Sequence, residues 1–325
     1  MTKPIFAVLF YLAVAPWSVV AGSSSPTIKA ATWTPIEDSL GRYGDLTVDE
    51  ARHRLLAPHV ADGTLDIIDL DHPKVIARIP VGLTTSVAVD KERGIYFASV
   101  PDDNRIAVVD ARSFREIGSI VLPESGGNLL FEPKHRRLYV ADSEAGSLWV
   151  VETDTRKITG TIALPESPEC LAYDSASSRL YATVGKTNQV AVIDPQSGTV
   201  LHLWPTGPAV HPHGLALDVA QGRLLVAGVA GQLVAMDLRT GKIITFAAIK
   251  NETGQIAYDP LLQLLYCAAP DWIIPVQCSG HSLLPLEPVY SAPTSTNVAI
   301  DPQTHDFWAA FTDGEDVYFT SWTVK

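Results

Sequence analysis

One pattern recurs seven times along the chain: three largely apolar residues closed by an acid. It appears as LTVD ending at Asp49, VAVD at Asp90, LLFE at Glu132, LAYD at Asp174, LALD at Asp218, IAYD at Asp259 and VAID at Asp301, so the acids stand 41 to 44 residues apart. A fixed period in this range marks a repeat architecture, in which one small unit buries its faces only against further copies of itself.

Each copy continues alike. A polar turn leads into a second apolar run, such as GIYFASV, RRLYVAD or SRLYATV. A loop rich in Gly, Asn and Asp follows, then a third run such as RIAVVD, SLWVVE or QVAVID, then a fourth such as REIGSIVLP or RKITGTIALP. Runs of this length, rich in Val, Ile, Leu and Tyr and bounded by turn residues, read as strands. The unit is therefore a four-stranded antiparallel sheet. Its strands are apolar on both faces, which fits sheets covered on each side rather than one face open to water. An all-β, seven-bladed β-propeller follows, with the blades stacked around a central channel. The repeat overrides the usual prior of about 150 residues per domain and makes residues 27–325 one domain.

The ends of the chain predict how the ring closes. The last copy supplies only three strands, VAID, FWAAF and DVYFTSWTV. The stretch TIKAATWTP at residues 27–35 precedes the first copy and has no other partner, so it is expected to complete the last sheet. Blade six departs from the pattern, because DWIIPVQCSG ends its third strand without the acid and carries Pro275. That proline lacks a ladder donor and predicts a bulge or an irregular edge.

Before the repeats, residues 1–21 read MTKPIFAVLFYLAVAPWSVVA, with Lys3, an apolar stretch and Val19-Val20-Ala21. This is the layout of a secretory signal peptide, with cleavage expected after Ala21 and residues 22–26 as a linker. The expected location is the periplasm or outside the cell, with no membrane-spanning segment once the leader is removed. Of the 325 residues 46% are hydrophobic and 18% charged, a globular composition, and the net charge of −12 argues against a broad nucleic-acid-binding face. Cys170, Cys267 and Cys278 are too few for a disulfide framework. A hairpin centred near Pro270 and Asp271 places Cys267 opposite about Val276, which disfavours a Cys267–Cys278 bridge and leaves the question open.

The stretch RRLYVADSEAGSLWVVETDTRKITGTIALPESP resembles the repeat of the YVTN, or YncE-like, family of seven-bladed propellers, and SRLYATVGKTNQVAVIDPQSGTVLHLWPTG repeats the resemblance. It rests on the Leu-Tyr-Val or Leu-Tyr-Ala opening of the second strand, the loop after it and a third strand ending in an acid, and it extends over about residues 27–325. The resemblance implies a seven-bladed propeller of a family mostly non-enzymatic or uncharacterised. Similar blades occur in electron-transfer subunits such as the quinohaemoprotein amine dehydrogenase beta chain.

In such a ring the residues just before each innermost strand point to one mouth of the channel. Five positions before the acid lie Gly44, Thr85, Gly127, Glu169, His213, Gly254 and Thr296, and four before it lie Asp45, Ser86, Asn128, Cys170, Gly214, Gln255 and Asn297. This small, polar ring reads as a wet mouth able to hold a ligand. His213 and Glu169 stand out in adjacent blades, with Asn128, Asn297 and His211 as further ligand-binding candidates. A histidine and a carboxylate on one rim could share a proton or hold a polar ligand. His211 and His213 share a face in an extended chain, with Pro212 disturbing that geometry.

No catalytic residue is assigned. H-E-x-x-H, C-x-x-C and G-x-S-x-G are absent from the sequence, so no metal site or cofactor is expected. Recurrence of the acid in all seven copies marks it as a turn residue accepting backbone N–H bonds. The expected function is that of a binding module, monomeric, taking a small molecule or a periplasmic protein at the channel mouth. Two alternatives stand beside it: a metal-dependent hydrolase or lactonase using Glu169, Asn128, Asn297 and His213, and a non-catalytic subunit of a periplasmic redox complex. The segment APDWIIPVQ, residues 269–277, offers Trp272 either as an interface anchor or as packing between blades.

Overall fold

A computed structural model describes residues 26–36, 39, 41–292, 295–313 and 316–325. The expected leader, residues 1–21, lies outside the described residues, as does the linker apart from Pro26. The described chain forms seven antiparallel sheets arranged as successive blades, the seven-bladed propeller read from the repeat. Blade 5 shows the pattern: Pro212–Asp218 innermost, then Arg223–Gly228, Gln232–Asp237 and Ile243–Ala248 at the outer edge.

The apolar residues sort into seven core clusters, each built from two neighbouring blades. Between blades 1 and 2, for example, Leu56, Leu65 and Ile67 meet Val87, Tyr96 and Ala107. This division explains the two-faced hydrophobicity of the strands: one face of each blade completes one core and the other face completes the next. Tyr139, Tyr181 and Tyr266, at matching places in their second strands, are buried against the following blade, and Tyr96, one residue out of step with them, is buried against the preceding one.

All seven repeat acids are buried and turn inward on their own backbone. Asp49 accepts an N–H bond from Ala51, Asp90 from Arg93, Glu132 from Lys134 and His135, and Asp174 from Ala176. Asp218 accepts one from Gln221, Asp259 from Leu261 and Leu262, and Asp301 from Gln303. Several of them also reach the following blade: Asp49 accepts the Tyr96 hydroxyl at 2.8 Å and Asp90 a guanidinium N–H of Arg136 at 3.0 Å, while Asp259 meets His305 and Asp301 meets His53, each at 2.7 Å. The acids are turn residues, as their recurrence implies, and they also tie blade to blade.

Closure takes the expected form. Residues Ile28–Ile36 pair antiparallel with Asp316–Val324, completing a sheet whose other members are Phe307–Asp313 and Ala299–Ile300. Thr27 and Lys325 exchange both backbone hydrogen bonds, at 2.8 and 2.9 Å.

In blades 1 to 5 the pairing of third and outer strands slips at one equivalent place, for example between Ile67 and Ile68 and between Val192 and Ile193. The extra residue bends the outer strand and increases its twist. Blade 6 does otherwise. Its third strand, Asp271–Ser279, keeps regular register with Leu264–Ala269 through Pro275, but its outer partner is split. Ser282–Pro285 pairs with its far half and Val289–Ala292 with its near half, and the proline sits at the break. The irregularity predicted at Pro275 thus lies at the outer edge. The hairpin is centred between Pro270 and Asp271, as expected, and that centre sets Cys267 opposite Ile274 rather than Val276. All three cysteines are free.

Candidate functional site

The strand direction puts the starts of all inner strands at one end of the channel. There a cavity of about 570 Å³ opens, and twelve of the fourteen positions read from the repeat line it, all but Cys170 and Gly214. The ring is small for a reason. The inner strands approach so closely that a Cβ on Gly44 would lie 2.1 Å from the Thr85 carbonyl oxygen, and one on Gly254 would lie 2.6 Å from that of Thr296. Those carbonyls instead accept the amides of Asp45 and Gln255, at 3.0 and 2.9 Å.

Side chains then stitch the ring across blades. Asn128 of blade 3 donates to Asp45 Oδ2 of blade 1 at 3.0 Å and accepts the Leu171 amide of blade 4 at 3.2 Å. Gln255 of blade 6 accepts the amides of Leu46 and Val298 at 3.0 and 3.1 Å and donates to the Leu46 carbonyl at 2.8 Å. Asn297, only 2% exposed, has both ends of its amide on the backbone of Ala310 in its own blade. These three amides hold the wall together.

The two histidines part company. His211 takes a left-handed backbone conformation, φ 50°, so the alternation expected of an extended chain fails there. Its ring lies beside Gly185 of the blade 4 loop, outside the cavity lining, with Nε2 3.9 Å from Glu169 Oε1. His213 alone enters the lining. The histidine near Glu169 is therefore His211, and His213 faces Asp45, whose carboxylate feels its charge. The Nδ1 of His213 is buried without a hydrogen-bond partner.

Burial raises the Asp45 carboxyl above its ordinary range, against the opposing pull of His213 and the Asn128 amide. Burial, with the nearby Asp45 carboxylate adding to it, pushes the Cys170 thiol up to about 12, which makes it a poor nucleophile. A carboxyl whose folded pKa is raised costs stability at neutral pH, and this cost fades as the pH falls through the raised pKa and is gone below the unfolded value. Asp45→Asn keeps an acceptor for Asn128 and removes the charge. It is expected to raise the melting midpoint at pH 7 by about 2 °C, with the difference vanishing near pH 3. An unchanged midpoint at pH 7 would show the carboxylate to be fully compensated where it sits.

Other lining residues come from loops that the repeat spacing did not single out: Arg42, Ser143, Lys186 and Glu252. Their signal was weak, because these loops vary in length and composition from blade to blade while the inner strands do not. Lys186 stands 3.3 Å from Glu166. Trp272, half-buried, stacks edge-on against Tyr290 at 5.8 Å and lies under the ammonium of Lys250 at 5.7 Å, so it packs between loop and blade.

No family model matches the chain, and no curated protein matches it in sequence. Solved structures do resemble it in shape. The WD40 repeats of RRP9 superpose with a TM-score of 0.78 at 10% identity, covering 92% of this chain and 100% of that one. Hydrazine synthase of Kuenenia stuttgartiensis gives 0.66 at 15% identity, covering 85% and 95%. U3-55K gives 0.74 at 10% identity, covering 90% and 98%. At such identities the likeness is one of fold.

Proposed function

We propose that this chain is an exported propeller of the YncE-like kind that acts as a binding module, holding a small polar ligand or a segment of a periplasmic protein in its channel mouth. The observation that supports this reading is convergence: residues chosen only by their distance from the repeat acid line one cavity, and that cavity holds the half-buried Asp45 carboxylate. Such a group gains from any partner that replaces its lost water. The lactonase alternative needs the amides of Asn128 and Asn297 turned to an ion, whereas both are committed to protein partners. Among the described residues no helix is long and apolar enough to cross a membrane.

The test uses protein exported under its own leader, with its mass checked against a start at Gly22. Ligand-observed NMR with amino acids, small amines, organic acids and sugars should find at least one class that binds. The same class should bind at least tenfold more weakly to a His213→Ala, Glu169→Gln variant of unchanged melting midpoint. Full retention by the variant, or no binding by any class, would overturn the mouth as the site.

A further inference from the structure

A propeller ends each blade in an outer strand whose far edge has no partner, and such edges are ordinarily guarded by charge or proline. Most of these edges are guarded. Lys29 and Pro35 lie in the closing strand, Lys74, Arg78 and Pro80 in blade 1, Arg115 and Glu116 in blade 2, Lys157 in blade 3, Pro205 in blade 4 and Pro285 in blade 6. Blade 5 is different. Its outer strand, Ile243–Ala248, reads IITFAA and contains neither charge nor proline. Phe246 stands on it 63% exposed, with Ile243 exposed beside it.

The surroundings of this bare edge are selective. From residue 238 to residue 250 the chain carries Arg239, Lys242 and Lys250 and no acid, in a protein of net charge −12; the flanking acids are Asp237, whose carboxylate is taken up by the amides of Arg239 and Thr240, and Glu252 beyond the strand. Lys242 and Lys250 bracket the strand, both exposed. Beside the start of the strand, Arg239 joins Arg179, His202 and Trp204 around a side cleft of about 450 Å³ between blades 4 and 5, which also holds Asp174, an acid already engaged by Ala176 and Ser177.

We propose that this edge is a docking site for an extended acidic peptide segment of another protein, which adds to blade 5 as a fifth strand with its apolar side chains against Phe246 and Ile243 and its acids at both ends. Main-chain hydrogen bonds supply the affinity in this mode and the flanking side chains supply the choice of partner. A second copy of this chain fits poorly. Antiparallel self-pairing centred on Phe246 would set Lys242 of one copy opposite Lys250 of the other, and like charges directly opposite destabilise a pair. The site lies on the outer rim, apart from the channel mouth, and stands or falls independently of it.

The probes are two fluorescent ten-residue peptides of alternating threonine and valine, one with paired aspartates at each end and one with paired lysines. The aspartate peptide should bind at least tenfold more tightly than the lysine peptide and should protect the amides of residues 243–248 from hydrogen exchange. Phe246→Lys, an exposed change expected to leave the fold intact, should abolish binding. Lys242→Glu with Lys250→Glu should reverse the preference between the peptides. Equal affinity for the two peptides, no binding of either, protection elsewhere, or binding retained by Phe246→Lys would each overturn the proposal. Concentration-dependent dimerisation of the wild type that Phe246→Lys removes would assign the edge to a second copy and overturn it as well.

Discussion

Deleting residues 26–36 is expected to lower the melting midpoint of the whole ring by about 10 °C and to make the protein prone to aggregate. These residues supply the fourth strand of the last blade. The truncation strips Asp316–Val324 of its outer partner from Val317 to Val324, removes the Trp33 ring from Phe311 and Tyr318, and takes Ile36 out of the core between blades 7 and 1. It also opens the hydrogen-bonded seam at which the two ends of the chain close the ring. The measurement is thermal unfolding of the truncated chain, followed by addition of the same stretch as a free peptide. Partial recovery of the midpoint in the presence of peptide would show that the loss comes from the missing strand. Unchanged melting of the truncated chain would refute closure by the N-terminal strand.

The second large effect is expected at Arg223, which is 1% exposed and belongs to no site. Its Nε donates to Asp218 Oδ2 at 3.0 Å, and its Nη atoms donate to the carbonyls of Gly280 and Cys278 in the next blade at 2.7 and 3.1 Å. Burying an ion pair brings little net stability, but removing one member strands the other charge in the interior, at a cost of about 3–5 kcal/mol. Arg223→Met should therefore fall near that range in equilibrium denaturation. Pairing it with Asp218→Leu should recover much of the loss, short of the turn bond from Gln221. A double variant as unstable as the sum of the two single ones would mean that the charges act separately.

What could be read from the sequence was whatever repeats. Seven acids at an even spacing fixed the blade count, the inner strands and the end at which the mouth opens, and the leftover stretch before the first acid identified the closing strand. Individual side-chain directions were another matter. His211 and His213 look equivalent in HPHG, yet the left-handed backbone at His211 sends its ring to Gly185 and leaves His213 alone in the channel. Asn297 sits in the ring by position, but a backbone within reach in its own blade claims its amide. Asp45 looked ordinary because a carboxylate becomes exceptional only through what surrounds it, here Asn128, His213 and Cys170 from three other blades. The split outer strand of blade 6 was signalled by Pro275, but the side on which pairing would fail depends on the neighbouring strands.

The mutual hydrogen bonds of Thr27 and Lys325 make this array circular. A linear solenoid must spend its first and last units on caps with polar outer faces, because those units each have one neighbour. Here no blade is terminal, so every unit can be apolar on both sides. The consequence is a fixed count. An open array can gain or lose a unit of about 42 residues and remain an array, whereas a ring with one unit more or fewer would have to reset the angle between all the others. The fold therefore tolerates variation in its loops while holding the number of its repeats constant.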